Sequence, residues 1–186
     1  MSATLCCLPC WASSLWCGCV SPVSARRLKQ PALAHVRADG SVSMVDVSTK
    51  KASARRARAE ARLTLSRAAA AAIRKVDLKK GDALAAAQIA GILAAKQTPA
   101  LIPLTHPLPL SSVDVNFRWD RNVLVVQTDV QTNAATGVEM EALVGAAIAA
   151  LTIYDMVKSL ERGIRIESIR LIEKTGGKSG VWKASR

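Results

Sequence analysis

The stretch VDVNFRWDRNVLVVQTDVQT, Val113 to Thr132, holds two runs rich in β-branched and aromatic residues, Val113–Trp119 and Asn122–Thr132, joined at Asp120-Arg121. Such side chains fit a pleated, half-covered surface, so two strands and a hairpin are predicted. The period then changes. Residues 137–160 space small and apolar side chains as a helix does, up to a stop at Gly163, and residues 164–172 alternate again as a strand. Towards the N-terminus, Ala61-Arg62-Leu63-Thr64-Leu65 alternates as a strand. Ser66 then stands as the N-cap of a helix reaching about Val76, and Asp82 as the cap of a second helix to about Lys96. Pro99, Pro103, Pro107 and Pro109 predict a shaped loop without regular structure between Thr98 and Leu110.

The order strand, helices, two strands, helix, strand predicts an α+β fold. Its type is the ferredoxin-like split βαβ sandwich with an additional helix and an antiparallel sheet. Helices cover one face of such a sheet, so the other is polar or packs on another subunit.

A length of 186 residues suits one compact domain with an appendage. Half of the residues are apolar, yet no uninterrupted apolar run reaches the ~18 to 20 residues of a membrane span, so no membrane partner is expected. All five cysteines lie at or before Cys19. The rest of the chain has no thiol for disulfides, and with His106 as its only histidine from Met44 onward, neither a zinc site nor any other metal is expected. Residues 1–43 are rich in Cys, Ser, Trp and Pro and nearly free of acid, which predicts a disordered leader of the mitochondrial transit type, with an untargeted cytoplasmic extension as the alternative. From residue 44 to 186, twenty-two basic residues face thirteen acidic ones, leaving a net charge of +9 of the chain's +12. A body this basic favours an anionic partner: nucleic acid, an acidic membrane surface or a polyphosphate.

Four places carry possible chemistry. His106, set among Pro103, Pro107 and Pro109, is held on a rigid loop and titrates near neutrality, although a lone loop histidine is more often a structural hydrogen-bonder. Glu139 and Glu141 begin the long helix, where acids complement the helix dipole; two residues apart, they are expected on different sides. Asp155 and Lys158, three apart among Leu151, Ile153, Met156 and Val157, share a helix face and are expected as a partly buried ion pair. Lys174 and Lys178 flank Gly176-Gly177, an anion cradle or a flexible basic tail; Ile172 stands where a phosphate-binding P-loop needs glycine. In a straight helix, Glu139 and Asp155 are about 24 Å apart. If both act, the site is composite, formed between subunits.

In chain order, Met44-Val45-Asp46-Val47-Ser48, Lys80-Gly81-Asp82, residues 87–96, Leu101 to Leu108, Gly137 to Leu143, Ala150 to Lys158 and Lys174 to Gly180 resemble the successive motifs of the MoaC family of cyclic pyranopterin monophosphate synthases. The resemblance covers roughly residues 44–180, and seven segments in order make it specific. It implies rearrangement of a 3′,8-cyclised dihydro-GTP to cyclic pyranopterin monophosphate with release of pyrophosphate. This is a step of molybdenum-cofactor synthesis linked to the radical enzyme that makes the substrate. It also implies a homohexamer built as a trimer of dimers, with sites at the dimer interface and no cofactor. By resemblance, Asp155 and Lys158 are the catalytic acid/base pair. Lys80, Lys96, Lys174, Lys178 and Arg55 hold phosphates or the ring, and Leu104, Thr105, His106, Glu139, Met140 and Glu141 bind substrate.

Two positions depart from the pattern: Thr105 stands where some relatives have cysteine, and Ala135 where many have a basic residue. The second puts one substrate contact in doubt. The rival readings are an inactive structural relative and an RNA-binding module. The second needs stacking aromatics on strands, and from Met44 onward the chain offers only Phe117, Trp119, Tyr154 and Trp182, so no nucleic-acid partner is expected.

Overall fold

A computed structural model describes residues 39–185. The cysteines and most of the leader-like stretch lie outside the described residues. The elements are β1 (Ser53–Thr64), α1 (Arg67–Arg74), α2 (Ala83–Lys96), α3 (Thr98–Leu101), β2 (Leu110–Asp120), β3 (Val123–Ala134), α4 (Glu139–Val157), β4 (Arg165–Thr175) and β5 (Trp182–Lys183). They form one sheet in the order β2-β3-β1-β4-β5, with every neighbouring pair antiparallel. This is the expected ferredoxin-like α+β arrangement, with α1 as the additional helix and a short fifth strand beside β4.

Both sequence-assigned caps form. Ser66 Oγ accepts the Ala69 N–H at 3.2 Å, and Asp82 Oδ1 accepts those of Leu84 and Ala85 at 2.9 and 3.1 Å. Each satisfies donors that a helix start leaves free. Three of the departures from the expected boundaries have a clear cause. β1 starts at Ser53 rather than Ala61, because its inward positions are alanines, which bury fully but carry little apolar signal in sequence. Asp120 pairs with Val123, so the hairpin turns at Arg121-Asn122, and Arg121 takes a positive φ of 55°. The proline-rich stretch begins with the single turn α3, because Pro99 stands in its first turn, where a helix needs no N–H.

The core lies between the sheet and the α2/α4 layer. Ala57, Ala59, Ala61 and Leu63 of β1 point into it, opposite Ala142, Ala146, Ala149, Ile153 and Val157 of α4. By length and composition α4 would cross a membrane, but these apolar side chains are buried within the fold. The two helices meet at Gly91 and Gly145. A Cβ on Gly91 would lie 3.0 Å from the Gly145 carbonyl oxygen, a tight contact that glycine avoids.

The opposite face of the sheet is charged, as one of the two expected alternatives. Asp129 accepts both arms of Arg56 and is also bound by Arg58 at 3.2 Å. Burial pushes its carboxyl up, but these arginines outweigh that and hold it below the ordinary value. Glu60, 6% exposed, is bound by Arg118 at 2.8 Å and Arg170 at 3.5 Å. Buried carboxylates need such partners, since a lone buried charge costs several kcal/mol.

Candidate active site

Two groups of polar residues sit at opposite ends of α4. At its C-terminal end, Asp155 Oδ1 meets Lys158 Nζ at 2.5 Å and Oδ2 meets Lys80 Nζ at 2.8 Å. Lys80 also donates to the Asp155 carbonyl at 2.9 Å, on the last turn, where the helix dipole favours a cation. The turn before α2 makes this reach possible. Gly81 takes φ 89°, leaving Asp82 to cap the helix while Lys80 turns back to α4. The Lys158 hydrogen bond first, then that from Lys80, holds the Asp155 carboxyl down at about 2. Asp155 is not partly buried, as its apolar neighbours suggested; its side chain is 54% exposed. Ile153 and Val157, four apart, define the inward stripe of α4, which leaves residue 155 on the opposite side.

At the N-terminal end, a cavity of about 430 Å³ is lined by Leu104, Thr105, His106, Glu139, Met140 and Glu141, all six residues assigned there from the sequence. The two carboxyls share this cavity rather than pointing apart. Glu139 is the first residue of α4, and its carboxylate folds back over Gly137, into space that a Cβ there would occupy. It forms an ion pair with Lys174 at 3.3 Å, and Lys174 donates to Ser179 Oγ at 2.6 Å.

Glu141 is 3% exposed; burial, reinforced by the charge of Glu139, pushes its carboxyl up to about 6 from an ordinary 4.5. The folded chain therefore holds this proton more tightly than the unfolded chain. The contribution to stability is full below about pH 4.5 and is lost as pH rises through 6, a change of about 2 kcal/mol at ~1.4 kcal/mol per pKa unit. Asp129 and Asp155 are shifted downward and act at lower pH. The wild-type urea midpoint is expected to fall between pH 4.5 and 7, and that of Glu141→Gln to stay level there. An equal slope in both chains would refute this account.

Arg55 does not reach into the cavity lining. Its guanidinium donates to the carbonyls of Ala134 and Ala135, both at 2.9 Å, and packs on Gly177, so it ties the end of β3 to the glycine-rich turn. That turn needs its glycines: Gly176 has φ 91°, and a Cβ on it would strike the Ala54 carbonyl oxygen. Lys178 lies on the exposed part of the same turn. Lys96 ends α2 and lines a smaller hollow of about 230 Å³ with Ser111 and Ser112. Sequence reading missed Val45, Val47, Lys50, Leu108, Thr136 and Gly137 as cavity residues. The alternation of Val45 and Val47 was the available signal.

α4 runs unbroken from Glu139 to Val157, so one chain keeps its two polar ends about 24 Å apart. Chemically, one end offers an exposed carboxylate between two ammonium groups, and the other a cavity with a histidine and two carboxyls, one of which, Glu139, is paired with a lysine.

Residues 44–177 match the model of the MoaC family. A cyclic pyranopterin monophosphate synthase of Methylobacterium nodulans is 48% identical over 156 residues, covering 83% of this chain and 98% of its own. One from Nostoc sp. is 52% identical over 152 residues, covering 81% and 90%, and one from Bacillus licheniformis is 45% identical over 156 residues, covering 82% and 93%. With near-complete coverage of these relatives and a family match from Met44 through the glycine-rich turn, the chain belongs to the MoaC family.

Proposed function

We propose that this chain is a cyclic pyranopterin monophosphate synthase, a phosphorus-oxygen lyase of molybdenum-cofactor biosynthesis. It converts (8S)-3′,8-cyclo-7,8-dihydroguanosine 5′-triphosphate to cyclic pyranopterin monophosphate and pyrophosphate. The observation that carries the reading is the solvent-facing Lys80–Asp155–Lys158 triplet on a chain about half identical to enzymes bearing that name.

Lysines suit the chemistry because a ribose hydroxyl must attack the α-phosphate while pyrophosphate departs, and positive charge stabilises the accumulating negative charge. Lys80, Lys96, Lys174 and Lys178 serve the phosphates, with Arg55 positioning the turn that carries Lys174 and Lys178. Leu104, Thr105, His106, Glu139, Met140 and Glu141 take the ring. Asp155 and Lys158 move protons during ring opening and closure. The two ends of α4 meet across a dimer interface, in a hexamer that is a trimer of dimers, and the substrate comes from a radical enzyme. Given the cyclised nucleotide, the purified chain is expected to release pyrophosphate. A folded chain that releases none refutes the activity.

The family match begins at Met44, and the relatives named above are bacterial. The acid-poor, arginine-bearing residues 1–43 serve as a mitochondrial import leader ahead of a catalytic domain at 44–186. A fluorescent fusion of residues 1–43 that stayed in the cytoplasm would overturn the leader and leave the enzyme reading intact.

A further inference from the structure

The turn that follows α4 is tied to a residue 95 positions earlier in the chain. Glu161 Oε2 accepts the Ser66 N–H at 2.9 Å, and Ser66 is the N-cap of α1. A helix start is often completed by a glutamate three residues after the cap, which reaches back to the cap's own N–H. Here Ala69 stands at that place, its N–H taken by Ser66 Oγ, and α1 has no acidic residue in its first turn. Glu161 supplies both missing parts from beyond the end of α4: an acceptor for the Ser66 N–H and a negative charge at the positive end of the α1 dipole.

Each side of this tie leads to one of the two lysines on Asp155. On the α4 side, the Val157 carbonyl accepts the N–H groups of Leu160 and Glu161 at 2.8 and 3.2 Å, and Tyr154 Oη donates to the Arg162 carbonyl at 3.2 Å. These bonds close the turn that starts at Lys158 and holds Glu161. On the α1 side, the Val76 N–H reaches the Ile73 carbonyl at 3.1 Å and that of Asp77 the Ala72 carbonyl at 3.0 Å. Leu78 then packs on the core, and its carbonyl accepts the Gly81 N–H at 2.9 Å, closing the turn that carries Lys80. We infer that Glu161 is a positioning residue: by completing the start of α1 from the end of α4, it fixes the Lys80 turn against the Lys158 turn and keeps both ammonium groups on Asp155. Its bearing on the reaction rests on the reading of that triplet given above.

Two readouts on the full chain test it. In pyrophosphate release, Glu161→Ala is expected to lower kcat/KM about 10- to 100-fold, the effect of a small misplacement of the acting groups. Glu161 is not among the core side chains, so the variant keeps its fold by circular dichroism. Carboxyl NMR titration of Asp155 reads the geometry without turnover. Lys158 and Lys80 are the charged groups that hold this carboxyl at about 2, so in Glu161→Ala it is expected to titrate nearer its ordinary 3.8. Glu161→Gln keeps an oxygen for the Ser66 N–H and restores most of both readouts. Ser66→Ala is the control for helix stability: it removes the bond to the Ala69 N–H, keeps the N–H that Glu161 accepts, and leaves the Asp155 titration as in wild type. A titration unmoved in Glu161→Ala, or moved as far by Ser66→Ala, overturns the positioning role whatever the activity. A titration that moves while kcat/KM stays within about twofold of wild type removes Glu161 from the reaction. If the titration moves and the wild-type chain releases no pyrophosphate, the tie stands and the catalytic reading falls.

Discussion

Asp155→Asn is expected to lower pyrophosphate release by about 10²- to 10⁴-fold, the usual contribution of a positioned acid or base, while the chain remains folded. The two expectations have separate physical sources. Asp155 faces solvent and packs against no core, so an isosteric amide removes no buried contact. What it removes is the negative charge between Lys158 and Lys80. With both lysines on it, the carboxyl sits at about 2 and is a poor base. In the proposed complex a bound triphosphate would compete for those ammonium groups, and as they turned to phosphate the carboxylate would regain basicity. Kinetics of the variant, with circular dichroism as the folding check, decide the matter. A folded Asp155→Asn chain retaining a rate within about threefold of wild type would remove Asp155 from the proton-transfer role.

Mixing two inactive chains is expected to restore activity. Asp155→Ala leaves the Glu139/Lys174 end of α4 intact, and Lys174→Ala leaves the Lys80/Asp155/Lys158 end intact. If each site joins one end from each of two protomers, a mixed dimer has one complete site and one doubly damaged site. Random reassociation makes half of the dimers mixed, so about a quarter of the wild-type rate returns after refolding together. If a single protomer supplied both ends, the mixture would stay as inactive as its parts. The length of α4 motivates the first outcome, since a continuous helix is a rigid spacer and cannot bring residues 139 and 155 together.

Much of this molecule is written in rules that act over a few residues. Ser66 and Asp82 cap the helices they precede because a side-chain oxygen reaches N–H groups only two or three residues ahead. The strand period at 113–119, 123–132 and 165–172 and the helix period at 139–157 survive in the fold because each reports one buried face. The ordered motifs, which identified the family, are likewise a property of the chain as a string.

The sequence by itself therefore determined the main elements, their order, the fold class and the identity of the candidate groups, but not the turn α3 or the short strand β5. Only the tertiary structure decided how those groups are partnered. Lys80 reaches Asp155 across 75 residues, Glu139 is drawn to Lys174, and Val45, Val47 and Lys50 line one cavity with His106. Asp155 faces outward because the inward stripe of α4 is set by what the sheet covers, and Arg55 is committed to the Ala134 and Ala135 carbonyls by the register of β1 on β3. Capping and periodicity are local and legible along one stretch of chain. Ion pairs between distant residues depend on strand register and helix docking, which arise only when the whole sheet closes on its helices.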